Sequence, residues 1–383
     1  MSGARTRALI LGAGDNGSAM AMDLAKADSW SVTVVDQDEA SLARVGDRYG
    51  VAVVQADLSE ADALPPLLAD QDIVLGALPR RLGLATLRTV AAAGRNYVDT
   101  SFMSQDATSV SSLARDNGAT IVIDCGLAPG ISNMAAGYAN RIMHVCEMIE
   151  IYIGGLPTER QWPYQFKAPT SPLNVIEEYT RPATVLQGGK RILRKALSEP
   201  EFMNFPGVGT LEAFLTDGLR SLLHTLRVPF MSEKTLCYPG HIELMRVLRD
   251  SGLFSRKPID VKGQDVAPCD VMCALLGDQW AYREGDEDLA ILRVVARGVE
   301  RGDPVRYQWD LHDRYDRETG TRSMARCVGF TATAVARMIA DGSFVRPGVH
   351  PPEVVGQQDG LLDRMREALT ERGVNIVQTR TEL

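Results

Sequence analysis

The segment RALILGAGDNGSAMAMDLA, residues 7 to 25, places three glycines within six positions, between an apolar run and a stretch of small and apolar residues. Gly12, Gly14 and Gly17 fit the pattern G-x-G-x-x-G at the junction of a predicted strand and a predicted helix. There the first glycine permits a tight turn, the second lets the backbone approach a pyrophosphate, and the third lets the helix lie close to the strand. The segment therefore predicts a phosphate-binding loop.

An acidic residue follows this loop at the spacing that dinucleotide sites use. Asp36 ends the predicted strand SVTVVD, where a carboxylate can accept hydrogen bonds from both ribose hydroxyls. The same carboxylate would repel a 2′-phosphate, and none of the three residues after it is basic. We expect NAD rather than NADP as the cofactor, with the helix N-terminus at Asp15 and Asn16 facing its phosphates.

Short apolar runs alternate with helical segments from Arg7 to Cys125. Runs that are apolar throughout and separated by helices of about ten residues are typical of a parallel sheet covered on both faces. The pattern predicts an α/β, Rossmann-type doubly wound domain over residues 1–130.

The later part of the chain has a different pattern. Alternation with period two in VRYQWDLHDRYD indicates an antiparallel sheet with one wet face. We predict a second α+β domain with a mixed or antiparallel sheet over residues 131–325, for substrate binding and oligomerisation. Residues 326–383, a helix and a tail, are expected to pack back on the first domain.

Composition excludes several classes of partner. The net charge is −8 and the basic residues are scattered, which argues against nucleic-acid binding. No apolar run is long enough to span a membrane and no signal segment is apparent, so we expect a cytoplasmic protein. The six cysteines form no C-x-x-C pair and the five histidines lack ligand spacing, which argues against a metal site.

Ligands of such sheets bind beyond the carboxyl ends of the strands. The expected cofactor residues there are Asp57, Leu78, Pro79, Ser101, Cys125, Gly126, Leu127 and Pro129. Asp57 could flank the adenine or be a plain strand-end carboxylate. Asp99 ends a central strand and is a candidate catalytic residue. Cys125 has no basic neighbour in sequence, so we expect it to line the pocket rather than to act as a nucleophile.

Four segments carry a resemblance to a known family: DCGLAPGISNMAAGY, IYIGGLP, GTLEAFLTDGLRSLL and LCYPGHIELMRVLRDSG. With them the chain resembles the saccharopine dehydrogenase family over nearly its whole length, and within it most resembles the lysine 6-dehydrogenases. The resemblance implies a homo-oligomer that oxidises a C–N bond of a small amino-acid substrate with NAD.

In the lysine 6-dehydrogenases, hydride leaves the terminal amine-bearing carbon of lysine, ammonia is released, and the semialdehyde closes to a cyclic imine. Other members oxidise a secondary amine, in saccharopine or in polyamine conjugates. A protein of another class, a non-catalytic NAD(H) sensor, could carry the same glycine loop. A substrate profile separates these three hypotheses.

The resemblance also implies substrate-binding residues: Tyr164, Lys167, Thr216, Asp217, Arg220, Glu243 and Asn133. Lys167 could pair with the substrate α-carboxylate, or it could be a solvated surface group. Asp217 could hold an ammonium group or cap a turn. Asn133 could bond substrate or cap the following helix.

His241 follows a Pro-Gly turn and matches a histidine of the lysine 6-dehydrogenases. The resemblance implies a general base, and the alternative is a structural histidine. In a strand, Glu243 would point to the same side and could orient the imidazole. Saccharopine reductases carry an acid where this chain has Ala128, and they lack the histidine. Both departures favour a primary amine as substrate.

Overall fold

The structure is a computed structural model that describes residues 5–168 and 171–383. The chain divides into two compact units. The first comprises Met1–Arg141 and Asp316–Ile376, and the second comprises Ile142–Tyr315 and Val377–Leu383. Residues 142–315 of the second unit are thus inserted, along the chain, within the first, and Val377–Leu383 follow it.

The strands of the described residues are β1 (Thr6–Leu11), β2 (Trp30–Asp36), β3 (Ala52–Gln55), β4 (Ile73–Gly76), β5 (Asn96–Asp99), β6 (Thr120–Val122), β7 (Val145–Pro157), β8 (Ala183–Gln187), β9 (Lys190–Arg194), β10 (Glu201–Phe205), β11 (Gly209–Leu215), β12 (Phe230–Cys237), β13 (Ile259–Val261), β14 (Gln264–Val266), β15 (Asp288–Glu300), β16 (Asp303–Arg314), β17 (Gly348–His350) and β18 (Ile376–Glu382). The helices are α1 (Asp15–Ala25), α2 (Glu39–Tyr49), α3 (Gly83–Ala92), α4 (Ser111–Asp116), α5 (Ile131–Ile142), α6 (Pro172–Thr180), α7 (Leu222–Thr225), α8 (His241–Asp250), α9 (Pro268–Trp280), α10 (Ser323–Ala340), α11 (Pro352–Gly356) and α12 (Leu361–Thr370).

A seven-stranded parallel sheet forms the first unit, in the order β17-β6-β5-β4-β1-β2-β3. Its central strand β1 is buried from Ala8 to Leu11, because helices cover both faces and every side chain there must be apolar. The doubly wound α/β prediction is confirmed. The carboxyl ends of β1, β2, β4 and β5 meet at one edge, which is where the glycine loop begins.

The C-terminal segment contributes to this first unit. Helix α10 packs on α1 so closely that a Cβ on Gly329 would lie 2.9 Å from the Cβ of Ala19 and 3.2 Å from the carbonyl oxygen of Asn16. Strand β17 pairs with β6 at the sheet edge. The observed division therefore places α5 and residues 316–376 with the first domain, whereas the sequence pattern predicts boundaries at 130 and 325.

A mixed nine-stranded sheet forms the second unit, and β12 and β7 are its parallel pair. Strand β16 pairs antiparallel with β15, and its residues alternate between buried Tyr307 and Trp309 and half-buried Arg306 and Gln308. This is the predicted period of two. Helices α6, α8 and α9 enclose an apolar cluster that includes Trp280.

No helix among the described residues is both long and apolar enough to cross a membrane. No group of three or more His, Cys, Asp or Glu side chains in the same residues is arranged to hold a metal ion.

Candidate functional site

The three glycines of the loop have different surroundings. Gly12 has a φ of +106°, and a Cβ there would lie 2.6 Å from the carbonyl oxygen of Ala77. A Cβ on Gly17 would lie 1.8 Å from the carbonyl oxygen of Gly12. At Gly14, by contrast, no described atom beyond the glycine and its two chain neighbours lies within 4 Å of the Cβ position. Two glycines therefore hold the turn together, and the third leaves space that a ligand can enter.

Helix α1 begins at that open position. Gly14 is its N-cap, and no described side chain caps it with a hydrogen bond. Asp15 occupies the first turn, and Asn16 beside it is half-buried. An uncapped helix N-terminus binds anions through its N–H groups and its dipole, so the loop suits a pyrophosphate.

Asp36 is bonded to the loop itself. One carboxylate oxygen accepts a hydrogen bond from the Ala13 N–H at 2.6 Å, and the other accepts one from the Asp38 N–H at 2.9 Å. Each carboxylate oxygen has a second lone pair with which to accept from a ribose hydroxyl. The position fits the predicted role, which remains a prediction.

The next strand ends differ in exposure. Asp57 is exposed and accepts hydrogen bonds from the hydroxyl and N–H of Ser59, which lower the pKa of its carboxyl. This is the turn geometry of a plain strand-end carboxylate. After β4, Leu78 is half-buried against the apolar core and Pro79 is exposed.

Asp99 is the last residue of β5, and its side chain has no solvent exposure. Its carboxylate accepts hydrogen bonds from the hydroxyls of Tyr97 and Ser101, both at 2.8 Å. Burial raises the pKa of the carboxyl to about 6, against the effect of these donors, and the nearby Asp124 raises it further. The predicted catalytic Asp99 and cofactor-binding Ser101 thus form one bonded pair.

Cys125 follows β6 and donates its backbone N–H to the carbonyl oxygen of Asp99 at 2.8 Å. Burial raises the pKa of its thiol, so the nucleophilic thiolate is disfavoured. Leu127 is also buried, and the Gly126 N–H donates to the carbonyl oxygen of Pro129 at 3.0 Å. These four residues form one tight, buried turn.

Asn133 is bonded within the first unit. Its amide nitrogen donates to the carboxylate of Glu353 at 3.0 Å, and its amide oxygen accepts from the Gly130 N–H at 3.4 Å. Asn133 and Glu353 are both buried. Of the two hypotheses for Asn133, this arrangement agrees with the capping role.

In the second unit, Gly240 has a φ of +94° and precedes His241, the first residue of α8. The Tyr164 carbonyl oxygen lies 2.9 Å from Nδ1 of His241 and can only accept, so Nδ1 carries the proton. Nε2 therefore accepts from the Tyr179 hydroxyl at 2.8 Å. Burial lowers the pKa of His241 to about 4. The imidazole is neutral at pH 7 and bonded at both nitrogens.

Glu243 is not positioned as a strand would place it. It lies on α8, where residues two apart point in nearly opposite directions, and its exposed carboxylate pairs with Arg246 at 2.6 Å. The expectation that Glu243 lies beside the imidazole is wrong, because the segment is a helix. The Tyr164 carbonyl and the Tyr179 hydroxyl orient His241, and no sequence pattern singles out Tyr179.

A cavity of about 180 Å³ lies beside the aromatic rings that contact His241. Its lining includes the predicted Tyr164 and Lys167, together with Glu159, Asp278 and Arg283. Ligand sites for larger molecules measure roughly 300 to 1,000 Å³, so this cavity suits one small molecule. It offers two acidic and two basic side chains.

Lys167 is buried rather than solvated. Its ammonium lies 2.5 Å from the carboxylate of Asp286 and 3.3 Å from the carbonyl oxygen of Ala281. Burial alone would raise the pKa of Asp286, but the bonds from Lys167 and from the Arg283 N–H lower it. The surface hypothesis for Lys167 does not match this position.

Thr216, Asp217 and Arg220 lie around a buried acid that the sequence pattern did not indicate, Glu233 of β12. Asp217 accepts from the Thr184 N–H at 3.1 Å and pairs with Arg181 at 3.3 Å, and the Thr216 hydroxyl contacts that of Thr235.

Among the described residues, Oε2 of Glu233 has no hydrogen-bond partner. Burial raises the pKa of its carboxyl to about 8, and the charges of Glu178 and Asp217 add to that effect. The only sequence signal was a charged residue at an inward position of an alternating strand.

Two family models match consecutive parts of the chain. Residues 8–122 match the "Saccharopine dehydrogenase NADP binding domain" and residues 126–374 match the "Saccharopine dehydrogenase C-terminal domain". The expected family resemblance is confirmed. Whether NAD or NADP is bound is not distinguished by these matches.

The relatives differ in length. The chain is 24% identical over 295 residues to the mitochondrial alpha-aminoadipic semialdehyde synthase of Bos taurus, covering 72% of this chain and 32% of that protein. It thus spans about a third of the length of the first curated relatives it matches. It is 21% identical to the carboxyaminopropylagmatine dehydrogenase of Synechocystis, covering 94% of this chain and 95% of the other.

The solved apo structure of saccharopine dehydrogenase (L-Glu forming) from Saccharomyces cerevisiae superposes with a TM-score of 0.83 at 18% identity, covering 98% of this chain and all of that one. That likeness establishes the fold. Together with the two domain matches, it gives one conclusion: the chain belongs to the saccharopine dehydrogenase family of oxidoreductases.

Proposed function

We propose that the chain is an NAD-dependent dehydrogenase that oxidatively deaminates the terminal amine of L-lysine or a close homologue. The observation that carries the substrate class is the small cavity of the second unit, whose lining has two acids, Glu159 and Asp278, and two bases, Arg283 and Lys167, of which Lys167 is paired with Asp286. A free amino acid carries both charges and is small enough for this space. A tricarboxylic substrate would need an excess of basic side chains.

The cofactor proposal rests on Asp36. Its carboxylate lies at the end of β2 and is bonded to the Ala13 N–H of the glycine loop, so it is held at the loop where the adenosine ribose of a dinucleotide would lie. A second phosphate on that ribose would meet a negative charge. NAD is therefore the proposed cofactor, although the matching domain is described by its binding of NADP.

The overall reaction is balanced as follows: the protonated amine, NAD and one water give the aldehyde, NADH, ammonium and one proton. When bound, the nicotinamide accepts the hydride from the amine-bearing carbon. The chain must supply a base, because only the unprotonated amine can release hydride. His241 is the proposed base, since its imidazole is unprotonated at pH 7 and the Tyr179 hydroxyl holds its orientation. Because its pKa is about 4, the imidazole would pass on a proton received through that hydroxyl rather than stay charged.

Oxidation of a secondary amine, in saccharopine or a polyamine conjugate, is the second candidate. It is favoured by the similarity to a carboxyaminopropylagmatine dehydrogenase over nearly the full length of both chains. It is disfavoured by Ala128, which stands where saccharopine reductases carry an acid. A non-catalytic NAD(H) sensor would bind the dinucleotide and turn over no amine.

The test is the initial rate of NAD reduction with L-lysine, ornithine, saccharopine and diamines, each repeated with NADP. Activity on lysine with NAD supports the proposal. Activity confined to saccharopine or a diamine transfers the assignment to the second candidate. Binding of NAD with no turnover of any amine supports the sensor. Light scattering in the same buffers tests the proposed homo-oligomer.

A further inference from the structure

An acidic side chain lies where the phosphates of a dinucleotide are expected. Asp15 is the first residue of α1 and directly follows Gly14, the position with open surroundings. Its side chain is 49% exposed. The helix dipole favours a carboxylate there, but a bound pyrophosphate is itself negative. Asp15 alone would therefore repel the group that the loop is built to hold.

A guanidinium from a distant part of the chain lies against this carboxylate. Nη1 of Arg322 is 2.5 Å from Oδ2 of Asp15, although 307 residues separate them in sequence. The side chains of Arg322 and Asp15 are 23% and 49% exposed, so water and ions reach the pair. Salt therefore screens the attraction between the two charges.

The segment before α10 holds Arg322 in place. The backbones of Asp316 and Thr321 exchange two hydrogen bonds, at 2.9 and 3.1 Å. The Thr321 hydroxyl contacts the sulfur of Met22 on α1 at 3.7 Å, and the Arg48 guanidinium of α2 donates to the carbonyl oxygen of Thr319. The residues just before Arg322 thus contact both α1 and α2.

We propose that Arg322 is a cofactor-positioning residue, which cancels the charge of Asp15 so that the N-terminus of α1 can bind a pyrophosphate. The inference rests on the dinucleotide binding of the proposed function and acts through Asp15. It assigns a role in the nucleotide site to the C-terminal segment of the first unit, outside the glycine motif. It predicts that the affinity for any ligand with a pyrophosphate depends on this ion pair.

The experiment measures the affinity of the full chain for NAD, ADP-ribose and adenosine by isothermal titration calorimetry, in 50 mM and 500 mM salt. The variants are Arg322→Ala, Asp15→Asn and the double variant, with Arg88→Ala, an exposed arginine of α3, as a control for the loss of one positive charge. Thermal unfolding without ligand shows whether each variant folds.

Arg322→Ala is expected to raise the Kd for NAD and ADP-ribose about tenfold in low salt, less in high salt, and to leave adenosine binding unchanged. The double variant is expected to return within about threefold of the unmodified chain, because no charge then needs cancelling. A folded Arg322→Ala with unchanged affinity, or a double variant as weak as Arg322→Ala, overturns the inference. Failure of the unmodified chain to bind any dinucleotide would instead refute the proposed function.

Discussion

The two units organise their functional residues differently along the chain. In the first unit, the glycine loop and its acid lie within residues 12–36, and Ala13 and Asp36 are directly bonded. In the second, His241 is held by Tyr164 and Tyr179, which lie 77 and 62 residues away in sequence. A site built from one strand-loop-helix segment has a spacing that can be recognised. A site assembled from three separate segments does not.

The largest effect is expected where the local site is tightest. Gly17→Ala places a Cβ against the carbonyl of Gly12, a backbone group that cannot move aside, and should lower the unfolding free energy of the first unit by more than about 4 kcal/mol. Gly14→Ala is the matched variant, since its φ of −68° accepts alanine and its surroundings are open. It should fold normally and lose affinity for NAD. Urea unfolding measures the stability of the two variants, and calorimetry measures their affinity for NAD. Equal stability would contradict the close packing of Gly17 on Gly12.

His241→Ala probes the assembled site. It removes a buried ring and leaves the Tyr164 carbonyl and the Tyr179 hydroxyl without a partner, which should cost about 4 kcal/mol in urea unfolding at pH 7. Turnover of lysine should be lost, while the Kd for NAD changes less than twofold. His224→Ala, on the exposed surface, is the control.

The free energy of unfolding of the unmodified chain and of His241→Ala should depend differently on pH. The folded pKa of His241 is lowered to about 4, below the unfolded value near 6.5, so the unfolded chain binds the proton more readily. This residue therefore destabilises the unmodified chain as pH falls from 6.5 to 4, and His241→Ala should lack that loss. A parallel pH dependence in both proteins would contradict the buried, neutral imidazole.

Glu233→Gln tests the buried acid of the second unit. Its folded pKa of about 8 exceeds the unfolded value, so its contribution to stability is present at pH 4 and is lost as pH rises to 8. The glutamine variant should equal the unmodified chain at pH 4 and exceed it by on the order of 3 kcal/mol at pH 9. Urea unfolding at both pH values measures this, with the exposed Glu199→Gln as control. A variant less stable at pH 9 would mean that the ionised acid has a partner.

Asp36→Asn tests the glycine loop of the first unit, with a smaller expected effect. The amide keeps an acceptor for the Ala13 N–H but loses the charge, so the Kd for NAD should rise about tenfold and the preference for NAD over NADP should narrow. Asp38→Asn, which alters only the cap of α2, should leave the Kd for NAD within twofold. Titration of each variant with NAD and with NADP measures both Kd values. An unchanged ratio of the two in Asp36→Asn would mean that Asp36 does not select the cofactor.

The smallest effect is expected at Glu243→Gln. The exposed pair with Arg246 contributes little, so the unfolding free energy should change by less than about 0.5 kcal/mol. The pKa of His241, followed by NMR, should not shift. A clear shift would mean that the carboxylate does reach the imidazole and that the helical geometry of α8 is wrong.

The fold of the first unit was predictable because the sequence patterns that indicate it are local. Each strand and helix up to Cys125 has its own apolar period, and the glycines mark the junction at β1 and α1. The second unit was predictable in class only, since the alternation in β16 indicates a sheet but not the order of its strands.

The residues that were missed have their partners far away in sequence. Glu233 differs from a surface acid only through the burial of its strand, and Arg322 is one of many arginines until α10 packs on α1. The helix at His241 was ambiguous because a Pro-Gly turn can precede either a strand or a helix. The predicted position of Glu243 beside the imidazole depended wholly on whether this segment was a strand or a helix.

The insertion of the second unit between Arg141 and Asp316 has a consequence for the order of synthesis. A ribosome adding roughly 5 to 20 residues per second needs on the order of 10 to 35 s to cross that insertion. During that time β6 has an unpaired edge, because β17 has not been made, and Asp15 lacks its ion-pair partner Arg322. The nucleotide-binding unit begins first and is completed only at Ile376, so the nascent chain gains its full affinity for a dinucleotide only after residues 142–315 of the second unit have been made.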